Sequence, residues 1–200
     1  MILECNFTAP IARTMQDDYV REITIDIRCF DEAGANDYMV GRIALSQVLW
    51  NDARAEGESL FEICDNDSQG LYEVFTALCD ESGDVRPEFE IDDVFNHVIF
   101  VYRVVLHPEV RPYAQSILDA AVDLLGHDAL VVMWRGLGGI ADTDLAELGF
   151  RKVAGTELIC RQSTHRSKFS DKYPRGQDVD LAGRPEFESW FNEEWKRSED

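Results

Sequence analysis

A strand that runs into a proline-containing turn and then straight into a helix constrains this chain more than any other feature. Residues 98–106 form an almost unbroken apolar run, and residues 114–125 repeat apolar side chains with helical spacing. Pro108 lies in the turn between them. A helix that starts this close to a strand end points its unpaired N–H groups beyond that end. The junction therefore predicts a site for an anion such as phosphate or pyrophosphate.

A second group of elements follows without a long linker. The pattern predicts a strand over residues 129–134, a short helix over 142–147, and strands over 148–153 and 157–161. Strands and helices therefore alternate through this half of the chain, which is typical of a sheet with helices packed on it.

The order of these elements resembles the GNAT superfamily of acyl-coenzyme A-dependent N-acetyltransferases. Two steps carry the resemblance, namely LHPEVR at residues 106–111 and LGFRKV at residues 148–153, and it covers roughly residues 97–162. It implies an α/β (α+β) fold with a mixed, mostly antiparallel central sheet flanked by helices. It also implies acetyl-coenzyme A, or another acyl-coenzyme A, as the cofactor.

The resemblance further implies where the cofactor would lie. Two neighbouring strands would part at mid-sheet, with residues 104–106 as one lip and residues 131–133 as the other. The first turn of the following helix would hold the pyrophosphate through its backbone N–H groups, assisted by a charged hydrogen bond from Arg111. The cofactor-binding residues expected on this basis are Val105, Leu106, Arg111, Ala114, Gln115 and Ser116.

Departures from the family pattern bear on catalysis. Ala114 and Ser116 stand at two positions where the family has glycine or another small residue, so their side chains narrow the approach of a ligand to the backbone. Leu145 occupies the aligned position of a Tyr that protonates the leaving thiolate in many members. The catalytic residues therefore stay open, with Tyr102, Glu109 and Tyr113 as candidates. Other groups that meet the need for a base are Glu62, Asp65 and His107.

The charge of the chain limits its partners. The formal net charge is −20, from 39 acidic and 19 basic residues. Such a balance argues against a nucleic-acid partner, which requires clustered cations. Much of the excess lies between residues 52 and 93. Three interpretations stand: a solvated surface, an electrostatic field that attracts a cationic amine, and an acidic face that mimics nucleic acid.

Membrane and metal partners are not expected. No apolar run reaches the ~18 residues of a membrane span, and the amino terminus lacks a basic-then-apolar signal pattern. The five cysteines form no Cys-x-x-Cys pair, and the four histidines are scattered. We therefore expect a cytoplasmic protein with buried thiols and no metal site.

The amino-terminal half predicts a strand hairpin followed by helices. Residues 21–30 alternate apolar and polar side chains, and residues 38–45 are predicted to form the antiparallel partner strand. Ser46 is predicted to cap a short helix that extends to Ala53, and a clearer helix begins at Ser68 or Gln69. These helices follow the second strand of the hairpin, whereas the family usually places its first helices before that strand.

The pattern changes after residue 162. We predict a GNAT-like domain over residues 1–162 and a polar extension over residues 163–200 that ends in an aromatic helix. The helix is predicted over residues 185–197 and carries Phe187, Trp190, Phe191 and Trp195. These aromatics require a partner surface. The alternatives are their own domain, a homodimer contact and a lid over the acceptor site.

Three functional hypotheses follow. The first is an acyl-coenzyme A-dependent N-acyltransferase that acts on a primary amine, carried by a small molecule or a peptide. The second is a catalytically weak or inactive protein of the same fold that serves binding or regulation. The third is an unrelated α+β fold in which the motif occurs by chance. Fold alone does not choose among functions, so the site must be argued from its geometry.

Overall fold

Seven strands and six helices are distributed along the chain in the computed structural model, which describes residues 1–8, 19–89, 91, 95–125, 128–162 and 181–198. The strands are β1 (Ile2–Thr8), β2 (Val20–Phe30), β3 (Asp37–Val48), β4 (His97–Leu106), β5 (Ala129–Trp134), β6 (Arg151–Lys152) and β7 (Leu158–Gln162). The helices are α1 (Trp50–Glu56), α2 (Leu60–Asp67), α3 (Gln69–Leu78), α4 (Ala114–Leu124), α5 (Asp142–Glu147) and α6 (Pro185–Arg197).

All seven strands form one sheet in the order β1-β2-β3-β4-β5-β7-β6. The β4–β5 pair is parallel and every other pair is antiparallel. A parallel pair needs a crossover connection, and α4 supplies it. The expected fold class, a mixed and mostly antiparallel sheet flanked by helices, is therefore confirmed.

Helices cover both faces of the sheet, which is why β4 is apolar along most of its length. On one face Ile99 and Val101 of β4 join a buried cluster with Leu118 of α4 and Leu148. We call this cluster the α4 layer. On the opposite face Val98 and Phe100 of β4 join a second buried cluster, which contains α1, α2 and α3. We call that cluster the α1–α3 layer.

The amino-terminal helices follow β3 in the chain, as the sequence indicates. Ser68 caps α3 by accepting a hydrogen bond from the N–H of Leu71 at 3.2 Å, which confirms the predicted start of that helix. The prediction that Ser46 caps a helix is wrong, because β3 continues to Val48 and α1 begins at Trp50. Ser46 instead pairs with Glu22 of β2 in the sheet. Strand β1 was not among the elements expected from the sequence.

Helix α6 packs back on the sheet of its own chain. Phe187 is buried in the α4 layer. Phe191 is buried with Met39 and Val105, and Trp190 and Trp195 are partly buried against that cluster. The guanidinium of Arg103 lies 3.4 Å from the ring centroid of Trp195 and donates a hydrogen bond to the carbonyl of that residue. Docking on the chain's own domain is therefore the alternative that the structure confirms. The polar segment 163–180 lies outside the described residues.

Candidate functional site

A bulge in β4 determines where the polar chemistry of this sheet lies. Leu45 of β3 pairs with Val101, whereas the preceding Ala44 pairs with Arg103, so Tyr102 is an extra residue in β4. A bulge of this kind leaves two successive side chains on the same face of the strand. Tyr102 therefore lies on the face of the α1–α3 layer, and Arg103 lies on the same face beneath α6.

Glu22 joins the elements around this bulge. One of its carboxylate oxygens accepts a hydrogen bond from the hydroxyl of Tyr102 at 2.7 Å. The other accepts a hydrogen bond from the hydroxyl of Ser46 at 2.6 Å. Both donors are neutral, and no cationic side chain among the described residues forms an ion pair with Glu22. Among the described residues, two hydroxyls thus hold the carboxylate in place and no cation neutralises it.

Beside this carboxylate is a cavity of about 490 Å³. Its floor is the sheet, and its wall is the junction between α2 and α3 together with the end of β5. A volume of this size is in the range that encloses a small organic ligand. The lining residues are Glu22, Ser46, Asp67, Ser68, Gly70, Phe100, Tyr102 and Trp134.

The phenol of Tyr102 is a hydrogen-bond donor at this site. Burial raises its pKa above the ordinary value of a tyrosine, and the hydrogen bond to Glu22 and the charge of that carboxylate raise it further. A phenol with a raised pKa keeps its proton at neutral pH, and it is also a weak acid toward a thiolate. Tyr102 therefore serves to orient Glu22 better than it serves as a proton source.

The β4–β5 pair ends next to the cavity. Pairing runs from His97 with Ala129 to Val101 with Met133, and β4 continues to Leu106 without a further described partner in β5. Residues 131–133, expected as the second lip of a gap, are fully paired with β4 and β7, so that expectation is wrong. Strands β4 and β5 separate only after the pair formed by Val101 and Met133.

A glycine turn lies beside the part of β4 that has left β5. Gly138 has a φ of +67°, and a Cβ added there would approach Cγ1 of Val104 to 2.6 Å. Only glycine fits this backbone conformation and this distance without strain. The turn therefore covers the α4-layer side of the separated strand, whereas the cavity lies on its opposite face.

The predicted phosphate site adjoins the far end of β4. Val105 and Leu106 are buried, and a short 3-10 turn over Arg111–Tyr113 precedes α4. The N–H groups of Arg111 and Tyr113 donate to the carbonyls of His107 and Val110, respectively. The N–H of Ala114 donates to the carbonyl of Arg111. Three of the donors expected to face a pyrophosphate thus have backbone partners.

At the start of α4 some side chains are exposed to solvent and others contact the rest of the protein. Arg111 and Ser116 are exposed, and Arg111 forms no ion pair with any described residue. Ala114 is buried, and the side-chain amide of Gln115 donates to the carbonyl of Asp144 at 3.1 Å. Arg111 is therefore the cofactor-binding candidate that presents an available charge, whereas Gln115 is engaged with α5.

The other catalytic candidates lie away from the cavity. Glu109 forms an ion pair with Arg184 at 2.5 Å, next to α6. Tyr113 packs half-buried against the α4 layer. The ring of His107 lies between Phe187 and Trp190, with ring centroids 4.3 and 4.8 Å away, and burial lowers its pKa. Of the catalytic candidates Tyr102, Glu109 and Tyr113, only Tyr102 lines the cavity.

The remaining candidates are explained by packing or exposure. Leu145 is 2% exposed in the α4 layer, so no proton donor stands at that position. Glu62 and Asp65 are exposed on α2 and do not line the cavity, although the nearby Asp67 does. Within the part of the chain that is described, no group of three or more His, Cys, Asp and Glu side chains is arranged to hold a metal ion.

Three residues of the site were missed by the sequence reasoning, namely Glu22, Ser46 and Asp67. The alternation in β2 places Glu22 on the polar face of that strand, and polar residues on such a face usually point to solvent. The sequence offers one signal for this site, namely that position 22 on the polar face carries a carboxylate and not a shorter polar side chain. Nothing in the local pattern indicates that helices cover it.

Comparisons with known proteins give no identification. No protein-family model, no curated protein and no solved structure matches this chain. In the described residues, no helix has the length and apolar character needed to cross a membrane. Function must therefore be argued from the fold and from the cavity beside Glu22.

Proposed function

We propose that this protein is a GNAT-like N-acyltransferase that moves an acyl group from acetyl-coenzyme A, or another acyl-coenzyme A, to a primary amine bound in the Glu22 cavity. The observation that carries the proposal is the parallel β4–β5 pair that stops at Val101, directly beside that cavity. The end of a parallel strand pair leaves backbone N–H and C=O groups that an amide-containing ligand can use. The pantetheine arm of coenzyme A carries such amides.

The residues of the chain divide the work of this reaction. The amine nitrogen attacks the thioester carbonyl carbon, a C–N bond forms, and the C–S bond breaks to release a thiolate. An amine with a pKa near 10 must first lose a proton, and Glu22 is the carboxylate placed to accept it and pass it to solvent. The nitrogen loses a second proton to water as the amide forms, and water supplies the proton that the thiolate takes up, because Leu145 offers none and Tyr102 is a weak acid.

The start of α4 is the second support for the proposal. Arg111 is exposed at the amino-terminal end of an 11-residue helix, where a guanidinium can form charge-assisted hydrogen bonds to phosphate. The positive end of the helix dipole adds to that attraction. Cofactor and acceptor would then approach β4 from different ends, with the thioester near residue 102.

A specific observation favours a second candidate function. The backbone N–H groups of Arg111, Tyr113 and Ala114 have internal partners, and Gln115 is tied to α5. A phosphate site usually presents such donors unpaired. A protein of the same fold that binds a ligand in the Glu22 cavity without transferring an acyl group fits these hydrogen bonds.

Calorimetric titration with acetyl-coenzyme A separates the two candidates. The acyltransferase binds the cofactor, and Arg111→Ala weakens that binding by about 1.5–3 kcal/mol, the range for a hydrogen bond to a charged group. Arg54→Ala is the matched control, because Arg54 is an exposed arginine on α1. Release of free thiol in the presence of a panel of primary amines then tests transfer. Absence of binding at millimolar acetyl-coenzyme A contradicts the acyltransferase and leaves the binding protein.

We also infer a reducing compartment, of which the cytoplasm is the simplest case. Cys29, Cys64, Cys79 and Cys160 are buried and unpaired with one another. Burial raises the pKa of the Cys79 thiol to about 12, so this group stays protonated and unreactive. Quantitative thiol labelling of the unfolded protein, purified without reductant from its native cells, tests the inference. Detection of a disulfide among these four cysteines would contradict it.

A further inference from the structure

We propose that the Glu22 cavity selects a small organic amine whose cationic nitrogen is carried on an aromatic or branched apolar body. The inference rests on the proposed function in naming the acceptor, but the binding step that it describes requires no cofactor. It follows from three properties of the cavity: its charge, its walls and its volume.

The described lining of the cavity is negatively charged. Glu22 and Asp67 line it, and none of the eight described lining residues is Lys, Arg or His. Arg103, the neighbour of Tyr102, is engaged with Trp195 and with the hydroxyl of Ser198. The half-buried carboxylate of Glu22 is held by neutral hydroxyls, so it has lost part of its hydration without gaining a counter-charge from any described residue. A cationic ligand supplies the missing counter-charge, whereas an anionic ligand is repelled by the carboxylate.

The walls of the cavity are aromatic. Phe100 and Tyr102 lie side by side on β4 with ring centroids 6.1 Å apart, and Trp134 lines the cavity from the end of β5. Aromatic faces attract a cation directly and also bury apolar surface. A compact amine with an apolar body uses both properties. A long polyamine has no comparable apolar body to bury against these rings.

The volume of about 490 Å³ accommodates the whole of such an amine. Pockets that bind small molecules typically enclose most of the ligand and place a few polar groups at one point. Here Glu22, Ser46 and Tyr102 are joined by hydrogen bonds at one such point. A small amine, which carries a single polar group, therefore matches both the volume of the cavity and this one cluster of polar atoms.

The test is a calorimetric titration of the full chain with 2-phenylethylamine in the absence of coenzyme A. Three comparison ligands separate the contributions: 2-phenylethanol lacks the charge, phenylacetate reverses it, and ethylamine lacks the body. We expect binding of 2-phenylethylamine at least about tenfold tighter than binding of any of the three. Equal binding of 2-phenylethanol, or tighter binding of spermidine or of a lysine-containing peptide, would overturn the proposal.

Variants assign the binding to this cavity. Glu22→Gln should weaken binding of 2-phenylethylamine by about tenfold or more, and Trp134→Leu by about three- to tenfold. The matched control is Glu56→Gln, because Glu56 also accepts a hydrogen bond from a tyrosine, Tyr19, at 2.6 Å and lies outside the cavity lining. Should Glu22→Gln fail to fold, Asp67→Asn at an exposed position repeats the charge test. Unchanged affinity in the folded variants contradicts the assignment.

The two proposals fail in different ways. If 2-phenylethylamine binds with this selectivity but acetyl-coenzyme A does not bind, the cavity assignment stands and the acyltransferase is wrong. If acetyl-coenzyme A binds and its acyl group is transferred only to polyamines or peptides, the acyltransferase stands and the acceptor assignment is wrong.

Discussion

The two faces of the sheet around β4 are filled in different ways. On one face the α4 layer is continuous, and buried apolar residues extend from β2 through β4 to α4 and α5. On the other face two separate units share the surface: α1–α3 cover Val98 and Phe100, and α6 covers Val105. Tyr102 and Arg103 lie between these two units. The cavity is the space left beside this boundary.

We infer from this difference that the two faces of the sheet have different roles. A layer filled by apolar side chains contributes stability, because each buried group adds transfer free energy and close packing. A boundary between two packed units leaves room for polar groups and a ligand. It buries less apolar surface, and the other layer offsets this loss of stability. We therefore expect changes in the α4 layer to affect folding, and changes at the boundary to affect binding and activity.

The largest effect is expected for Glu22→Gln. Loss of a general base typically lowers a rate by about 10²-fold or more, so kcat/KM for acyl transfer should fall by that factor. The free energy of unfolding should change by less than about 1 kcal/mol, because glutamine conserves the shape of the side chain. Steady-state kinetics and urea unfolding measure the two quantities. Glu56→Gln should leave kcat/KM unchanged. Equal losses in both variants would show that the effect is not specific to the Glu22 cavity.

Leu118→Ala should show the opposite behaviour. Leu118 is 1% exposed in the α4 layer, so truncation to alanine should cost about 2–5 kcal/mol of unfolding free energy. The kcat per folded molecule should remain close to that of the unchanged protein, since Leu118 does not line the cavity. Urea unfolding followed by circular dichroism gives the first value. A stable variant that has lost activity would show that the α4 layer also carries function.

Arg103→Ala tests the boundary from the side of α6. Its guanidinium stacks on Trp195 and donates to the carbonyl of that residue, so its loss should cost about 1–2 kcal/mol and expose α6. Arg54→Ala is a matched control, since Arg54 also lies over a tryptophan, Trp50, at 6.0 Å, but is exposed. Hydrogen exchange of the α6 amides reports the detachment. Equal exchange in both variants would contradict an anchoring role for Arg103.

The smallest effect is a dependence of α6 docking on pH. Burial against Phe187 and Trp190 lowers the pKa of His107, and Arg184 and Arg111 act in the same direction while Glu109 opposes them. The unfolded chain therefore binds a proton first as the pH falls below about 6.5. The stability that neutral His107 contributes is present above that pH and is lost as the pH falls through the folded pKa.

Hydrogen exchange of α6 at pH 7.5 and pH 5.5, corrected for the intrinsic exchange rates, measures this effect. We expect weaker protection at the lower pH in the unchanged protein and a smaller difference in His107→Gln. A difference of the same size in both proteins would show that other groups control the docking.

The carboxyl-terminal elements could be predicted from the sequence because local patterns determine them. The apolar run of β4, the helical periodicity of α4 and the aromatic spacing of α6 each identify an element without reference to the rest of the chain. The position of Arg111 at the start of α4 followed from the same reasoning. The bonded N–H groups of that turn did not, because local sequence does not determine which backbone donors are satisfied.

The Glu22 site could not be predicted because it depends on strand register. The hairpin turn pairs Phe30 with Asp37, and counting back from this pair without interruption places Glu22 opposite Leu45. The structure instead places Glu22 opposite Ser46, because Val40 is an extra residue in β3. One such irregularity moves the partner by one position, which changes an apolar neighbour into a hydroxyl. No residue type in the sequence identifies Val40 as a bulge.

The bulge at Tyr102 also has a consequence for the descent of such a protein. If the codon for Tyr102 were deleted, Arg103 would follow Val101 directly, and residues 103–106 would keep their present faces of the sheet. The β3–β4 ladder would become regular, and the α4 layer would be unchanged. The fold therefore does not require this residue. A lineage that gained or lost one codon here would keep the same architecture while acquiring or discarding the phenol that holds Glu22.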